Sequence, residues 1–166
     1  MFSQAFKLYL KFEGGYVNHP NDKGGATRYG ITEGVARGNG YNGDMKDLPL
    51  SLAESIIKKR YWDKFNGDLM PYDIAEKMLN IGTNMGVGTA SKMLQNILVI
   101  YGQDIKVNGV FGTNSIKALN NVANRVDGIM AIVKYLNALQ GARYLAIVES
   151  NHSQRVFLKG WTKRLS

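Results

Sequence analysis

Outside one glycine-rich stretch, apolar residues recur at three- and four-residue spacing along almost the whole chain of 166 residues. That spacing places them on one side of an α-helix, so it predicts a mostly helical protein. The exception is residues 14–43, which show weak periodicity and hold many of the 19 glycines. Ordered loops longer than about 12–15 residues are uncommon in compact domains and usually carry function. We therefore expect a mainly α fold with a Gly-rich loop and short β region near residues 14–43, where residues 26–32 have modest strand character.

Start and stop signals set the expected bounds of the helices. The first helix is predicted over residues 3–13 with Ser3 as its N-cap. Ser51 and Glu54 form a capping box that predicts a helix reaching about Phe65. The remaining boundary predictions are Asp73 as a third N-cap, a break at Gly86–Gly88, Gly102 after the fourth helix, Thr113 as a further N-cap, a long helix over roughly residues 127–150 and a short helix before Trp161.

Composition excludes several classes of site. Cysteine is absent, so disulfide scaffolds and cysteine-ligated zinc are excluded. The two histidines, His19 and His152, lack the spacing of a helical zinc site, and we expect neither a metal nor a cofactor. The 21 Lys and Arg against 13 Asp and Glu give a net charge of +8, which predicts an anionic partner. Nucleic acid, a membrane surface and a cell-wall polymer all satisfy that requirement.

The apolar segments are too short or too interrupted to predict a membrane span, which needs about 20 apolar residues. In the helix predicted over residues 127–150, polar residues such as Lys134 and Arg143 interrupt the apolar ones, so its Ile, Leu and Val are expected in the core. The N-terminal residues carry Lys7 and Lys11 inside their apolar part and have no small-residue cleavage site. We therefore expect no stable membrane insertion and no secretory signal peptide, with synthesis in the cytoplasm.

Glu13 is the most informative single residue. Phe2, Ala5, Phe6, Tyr9 and Leu10 form one helical stripe, and Glu13 is the next member of that series. A carboxyl group is thus expected on the buried face at the end of the helix, directly before two glycines that leave room for a ligand. The helix C-terminus and an apolar wall both disfavour the ionised form. A carboxyl group that keeps its proton near neutral pH is suited to general-acid cleavage of a glycosidic bond.

A second carboxylate follows on the Gly-rich loop. Eight residues separate Glu13 from Asp22, and four more separate Asp22 from Thr27. Glycosidase mechanisms require two carboxylates that face each other across the sugar, so Asp22 is a candidate for the second one. Residues 20–24 also suit a plain turn, which is the structural alternative.

These motifs resemble the opening of glycoside hydrolase family 108. The resemblance is carried there by Phe12-Glu13-Gly14-Gly15-Tyr16, Asn18, Asp22, Gly24-Gly25-Ala26-Thr27 and Tyr29-Gly30-Ile31-Thr32. Further along it includes Tyr61-Trp62-Asp63, Asn84-Met85-Gly86, Leu94-Gln95 and Trp161. The run Asn108-Gly109-Val110-Phe111-Gly112-Thr113 resembles the turn of the family's peptidoglycan-binding C-terminal part, with Asn108 where Asp is usual.

The resemblance implies a lysozyme-like helical fold and an N-acetylmuramidase that cuts peptidoglycan, as phage lysins and secretion helpers do. It implies a catalytic region over residues 1–87 and a helical peptidoglycan-binding part over residues 88–166, packed as one compact unit. Glu13 would be the catalytic acid, with Asp22 and Thr27 as further catalytic residues. Phage-type lysozymes have five residues before the Thr, whereas this chain has four.

Three further residues are candidates for substrate binding. Tyr16 and Tyr29 flank the expected cleft, where their rings would stack on sugar faces or simply pack the loop. Asn84 matches a family position and would hydrogen-bond an acetamido group, with helix C-capping as the alternative.

Four functions are compatible with these residues. The leading hypothesis is hydrolysis of the β-1,4 bond between N-acetylmuramic acid and N-acetylglucosamine. A lytic transglycosylase also needs one Glu acid, and a peptidoglycan-binding module without catalysis is a third possibility. A nucleic-acid binder ranks last because Lys and Arg are spread along the chain rather than clustered. We expect a monomer that acts on the cell wall after release through a holin or a secretion system.

Overall fold

The computed structural model describes residues 1–17 and 25–165, and this part of the chain is mainly α-helical. Its α-helices are α1 (Phe2–Phe12), α2 (Glu33–Gly38), α3 (Leu50–Ile57), α4 (Tyr72–Met85), α5 (Val87–Ile100), α6 (Thr113–Ala123), α7 (Gly128–Ser150) and α8 (Leu158–Thr162). Strands β1 (Thr27–Arg28) and β2 (Ile31–Thr32) form an antiparallel sheet. The predicted fold class, with its short β region, is confirmed. Contacts divide the chain into two compact units, Phe2–Arg60 and, together with Met1, Tyr61–Ser166.

In the first unit, α1 buries the stripe that its sequence predicts. Phe2, Ala5, Phe6 and Tyr9 are each 7% exposed or less. The rings of Phe2 and Phe6 stack with centroids 5.8 Å apart, and those of Phe6 and Tyr9 stack at the same distance. Burying such side chains stabilises the fold by about 1.5–3 kcal/mol each. The helix begins at Phe2, so Ser3 lies inside it, and the prediction that Ser3 is the N-cap is wrong.

The Gly-rich region forms a hairpin. Thr27 pairs with Thr32 and Arg28 pairs with Ile31, so Tyr29 and Gly30 form a two-residue loop. Both loop residues have positive φ, 51° and 71° respectively. Positive φ at both positions is the requirement of the type I′ turn, whose twist matches that of the paired strands.

Helix α2 follows the hairpin directly and was not predicted. Gly34 and Gly38 lower its intrinsic propensity, which explains why the sequence pattern is weak there. The burial of Ala36, which is fully buried, and an ion pair of 2.7 Å between Glu33 and Arg37 stabilise the helix despite this low propensity.

The other three predicted N-caps are also wrong, by one or two residues. The observed N-caps are Pro49, Pro71 and Gly112, none of which caps through a side chain. The predicted caps Ser51, Asp73 and Thr113 instead occupy the first or second helical position of their helices. An N-cap needs extended backbone, and Pro49 and Pro71 have it through ψ values of 136° and 139°, without a side-chain hydrogen bond.

Beyond Ile57 the predicted helix continues to Phe65 with a changed hydrogen-bond pattern. Residues Lys58–Trp62 form a π-helical turn and Asp63–Phe65 a 3₁₀ turn. Trp62 is 1% exposed, and its indole N–H donates to Asp68 at 3.0 Å. A Cβ at Gly67 would lie 2.6 Å from the Trp62 ring, so the close contact between the backbone and this ring requires glycine.

In the second unit, α4 and α5 are separated at Gly86, whose φ of 89° ends one helix before the next begins. This is the predicted break, and the predicted long helix is confirmed as α7. Its buried residues are Gly128, Ile132, Leu136, Gln140 and Tyr144. The expectation that all its Ile, Leu and Val lie in the core is wrong, because Leu139 and Leu145 are exposed. Among the described residues, none of the helices is long and apolar enough to cross a membrane.

The C-terminal segment is fixed to α4 by a buried lysine. Lys77 is 1% exposed, and its ammonium group donates to the backbone carbonyl of Arg164 at 2.7 Å. Burial lowers the pKa of Lys77 to about 8. The Trp161 ring stacks on Tyr144 of α7 at a centroid distance of 4.9 Å. The C-terminal segment is thus attached to α4 by a polar contact and to α7 by an aromatic contact.

Candidate active site

The Glu13 carboxyl group lies where α1 ends. Glu13 is the residue after the last helical one, and its N–H still donates to the Tyr9 carbonyl at 3.2 Å. The side chain is half-buried. Gly14 and Gly15 follow, and a Cβ built on either would meet no described atom within 4 Å. Among the described residues, open space therefore lies beside the two glycines that follow Glu13, where the sequence predicts room for a ligand.

The hairpin loop packs closely against this carboxyl group. A Cβ built on Gly30 would lie 2.8 Å from Oε2 of Glu13 and would overlap the Tyr9 hydroxyl. That hydroxyl donates to the backbone carbonyl of Tyr29 at 3.0 Å. A part-buried hydrogen bond therefore joins α1 to the hairpin loop, and Glu13 lies beside this connection. Such support from a rigid element is what a catalytic side chain requires.

Two aromatic candidates in this unit are each covered by a cation. The Arg28 guanidinium lies 4.9 Å from the centroid of the Tyr29 ring and donates to its hydroxyl at 3.2 Å. The Lys46 ammonium lies 5.5 Å from the centroid of the Tyr16 ring. These are cation–π distances. Both rings are half-buried, and sugar stacking by either one stays a prediction.

Thr27 is a half-buried residue of β1, and the structure places it in the same unit as Glu13. Its N–H donates to the Val17 carbonyl at 2.8 Å and its carbonyl accepts from the Val17 N–H at 2.9 Å. This bridge joins the hairpin to the chain four residues after Glu13. Asp22 and His19 lie in residues 18–24, outside the described residues, so the predicted second carboxylate stays a prediction.

Asn84 belongs to the second unit, on the exposed side of the last turn of α4. The C-cap of that helix is Gly86, whose N–H donates to the Gly82 carbonyl at 2.9 Å. The capping alternative for Asn84 is therefore wrong, and its contact with an acetamido group stays a prediction.

Sequence reasoning missed the roles of Tyr9 and Gly30. A tyrosine on an otherwise hydrocarbon stripe is the signal that could have indicated Tyr9, because a buried hydroxyl needs a hydrogen-bond partner. Gly30 was part of a motif, but only the positive φ and the contact with Glu13 explain why glycine stands there. In the described residues, no three of the His, Asp and Glu side chains are grouped so that they could hold a metal ion.

Comparison with known proteins defines the class. Residues 6–86 match the family described as Glycosyl hydrolase 108, and residues 89–166 match one described as Predicted Peptidoglycan domain. The chain belongs to the glycosyl hydrolase 108 family. It is thus a glycoside hydrolase with a lysozyme-like, mainly α fold, and its partner is peptidoglycan.

One solved structure is similar over nearly the whole chain. It is that of SagA from Brucella abortus, with a TM-score of 0.75 and 30% sequence identity, covering 99% of this chain and 88% of that chain. Among proteins of curated function, none matches.

Proposed function

We propose that this protein is a lysozyme-type N-acetylmuramidase that hydrolyses the β-1,4 bond between N-acetylmuramic acid and N-acetylglucosamine. The observation that carries the proposal is the position of the Glu13 carboxyl group, which lies at the end of α1 against Gly30 and directly before two glycines where a Cβ would meet no described atom within 4 Å. A glycosidase needs one carboxylic acid that protonates the leaving oxygen from a fixed position. Membership in a glycosyl hydrolase family and a peptidoglycan-binding part over residues 89–166 support the choice of substrate.

In this proposal Glu13 donates its proton to the glycosidic oxygen as the bond to the muramic acid carbon breaks. Asp22 is the proposed second carboxylate, which either orients the attacking water or stabilises the oxocarbenium-like transition state. Thr27 is proposed as a further catalytic residue, and Tyr16, Tyr29 and Asn84 are proposed to contact the substrate. We further propose that the enzyme acts on the cell wall as a monomer and reaches it by phage-type lysis or assisted secretion.

The test is the release of soluble fragments from purified peptidoglycan by the wild type and by Glu13→Gln. Glutamine keeps the shape of the side chain but cannot supply the proton, so activity should fall by at least about 100-fold. Glu54→Gln is the matched control, since it makes the same change on a half-buried residue of the same unit and should leave activity unchanged. Thermal unfolding of all three proteins checks that each is folded.

Mass analysis of the fragments identifies the reaction. Reducing-end muramic acid supports a muramidase, whereas 1,6-anhydro ends would show a lytic transglycosylase with the same acid. Equal activity of the wild type and Glu13→Gln would refute the role of Glu13. Retention on peptidoglycan without any released fragment would instead indicate a binding module.

A further inference from the structure

A cavity of about 730 Å³ lies in the second unit, on the loop that joins α5 to α6. It is bounded by Gln95 of α5, by the loop residues Asp104 and Lys106, and by the first turn of α6. A second cavity of about 430 Å³ adjoins it and shares Asp104 and Asn114. Both cavities lie within residues 89–166, which match the peptidoglycan domain, and they contain no residue of the first unit.

A single buried side chain fixes the wall of this cavity. Gln95 is 1% exposed, and its amide nitrogen donates to the side chain of Asn108, the carbonyl of Val110 and the hydroxyl of Ser115 at 3.0–3.1 Å. Its amide oxygen accepts from the N–H groups of Asn108 and Gly109 at 3.1 and 2.9 Å. Because these hydrogen bonds from one buried residue hold the loop between α5 and α6 in place, the loop is preformed, and a ligand need not order it.

The first turn of α6 supplies positive potential to the cavity. Its N-cap is Gly112, which has no side chain to accept from the N–H groups of the first turn. The N–H groups of Thr113, Asn114 and Ser115 therefore lack the usual cap where these residues line the cavity. A helix N-terminus in this state favours a carboxylate.

Two charges of opposite sign complete the lining. Asp104 and Lys106 are exposed, and within the described part of the chain neither forms an ion pair. Among the described residues that line the two cavities, none is aromatic. Sugars are commonly held by aromatic rings that stack on their apolar faces, whereas a peptide with free ammonium and carboxylate groups needs opposite charges and amide partners.

We propose that this cavity binds the peptide stem of peptidoglycan rather than its glycan strand. A stem carboxylate would lie at the N-terminus of α6 near Lys106, and a stem ammonium group would pair with Asp104. This inference rests on the proposed function only in taking peptidoglycan as the ligand, and it requires no chemistry at Glu13. Glu13 would then act on the glycan while this cavity holds the peptides attached to it.

Nuclear magnetic resonance titration of the full chain tests this placement. The probes are a soluble stem tetrapeptide that contains a diamino acid, the same peptide with a carboxamide end, and a tetramer of N-acetylglucosamine. The tetrapeptide should shift the backbone amide signals of Thr113, Asn114 and Ser115 with a saturable dependence on concentration. The carboxamide peptide should bind at least fivefold more weakly, and the sugar tetramer should leave these three signals in place.

Asp104→Asn is the diagnostic variant, and it should raise the Kd for the tetrapeptide by about tenfold. Asp127→Asn is the matched control, because it makes the same change on an exposed residue of the second unit away from this cavity, and it should not change the Kd. The inference is overturned if the sugar tetramer shifts the same amides, or if Asp104→Asn binds the peptide like the wild type. Because the readout does not depend on bond cleavage, its failure is distinguishable from failure of the Glu13 assignment.

Discussion

At the scale of single residues, Gly30 sets how closely the hairpin backbone approaches the Glu13 carboxyl group. Its φ of 71° already favours glycine, and a Cβ would lie 3.0 Å from Cδ of Glu13 and 2.8 Å from Oε2. Two separate requirements, on backbone conformation and on space, therefore meet at one position. The requirement for space involves the Glu13 carboxyl group directly, whereas the requirement on backbone conformation does not. Substitutions that affect only one of these requirements can therefore separate their effects.

Gly30→Ala should reduce both stability and activity. The positive φ alone costs a residue with a Cβ about 1–2 kcal/mol. The added methyl group must also displace the Tyr9 hydroxyl or the Glu13 side chain, so we expect fragment release from peptidoglycan to fall by at least about tenfold. Urea denaturation measures the first effect, and the fragment assay measures the second at a temperature where the variant is folded.

Gly40→Ala separates the two requirements. Gly40 has a φ of 85°, but a Cβ there would meet no described atom within 4 Å. This variant should lose stability through its backbone alone and keep its activity. If Gly40→Ala and Gly30→Ala lose activity equally, then the contact between Gly30 and Glu13 does not matter for the reaction.

At the scale of elements, the sequence predicted most helices and misplaced their first residues. Apolar periodicity identifies a buried face over many residues, so α1, α4, α5 and α7 were predicted within one or two residues at most ends. A cap depends on the backbone angles of one residue, and here Pro49 and Pro71 provide extended backbone without the polar side chain that signals a cap. Helix α2 is missed because Gly34 and Gly38 lower its intrinsic propensity, and the burial of Ala36 depends on tertiary contacts that the local sequence does not show.

In the candidate site too, local features are predictable from the sequence, whereas contacts between distant residues are not. The position of Glu13 at the end of α1 follows from a local stripe, so the sequence alone predicts it. The hydrogen bond from Tyr9 to Tyr29 joins residues 20 apart, and no local pattern specifies that pairing. Gln95 likewise organises a loop 13 to 20 residues away, which only the tertiary structure reveals.

The link between α4 and the C-terminal segment should depend on pH through Lys77. Burial lowers its pKa from 10.5 to about 8, so between these values the unfolded chain holds a proton that the folded chain has released. The free energy of unfolding should therefore rise with pH across this window, by up to about 1.4 kcal/mol per pH unit. Urea denaturation of the wild type and Lys77→Met between pH 7.5 and 10 measures this as a growing difference.

Other groups titrate near this window, so the difference between two proteins is the useful quantity. Burial raises the pKa of Tyr72 and Tyr144 above 10, which lowers stability at still higher pH, but both tyrosines are present in each protein. Lys159→Met, at an exposed position of α8, is the control and should follow the wild-type slope. A difference between the wild type and Lys77→Met that stays constant with pH would contradict a lysine whose buried charge opposes folding.

At the scale of the whole molecule, the two matched regions, residues 6–86 and 89–166, share one chain with a net charge of +8. Only the charges facing the candidate sites act on a bound substrate, whereas the net charge acts at long range on encounter with the wall. Peptidoglycan carries carboxylates along its stems, so the positive potential favours accumulation on it. In the proposed function, the net charge would contribute to finding the substrate and Glu13 to cutting it.

Salt should therefore weaken binding to the wall more than it weakens the chemical step. The Debye length falls from about 14 Å at 50 mM salt to about 4 Å at 500 mM, which screens long-range attraction. We expect a smaller fraction of the Glu13→Gln protein to pellet with intact wall material as salt rises, with a Kd that increases on the order of tenfold over this range.

Wall material whose stem carboxylates have been amidated should show little salt dependence, because the attracting charge is then absent. Cleavage of a short neutral glycan substrate by the wild type should likewise change little, since encounter with an uncharged molecule is not steered. An equal loss on the neutral substrate would place the salt effect at the active site and would leave the net charge of +8 without a part in wall recognition.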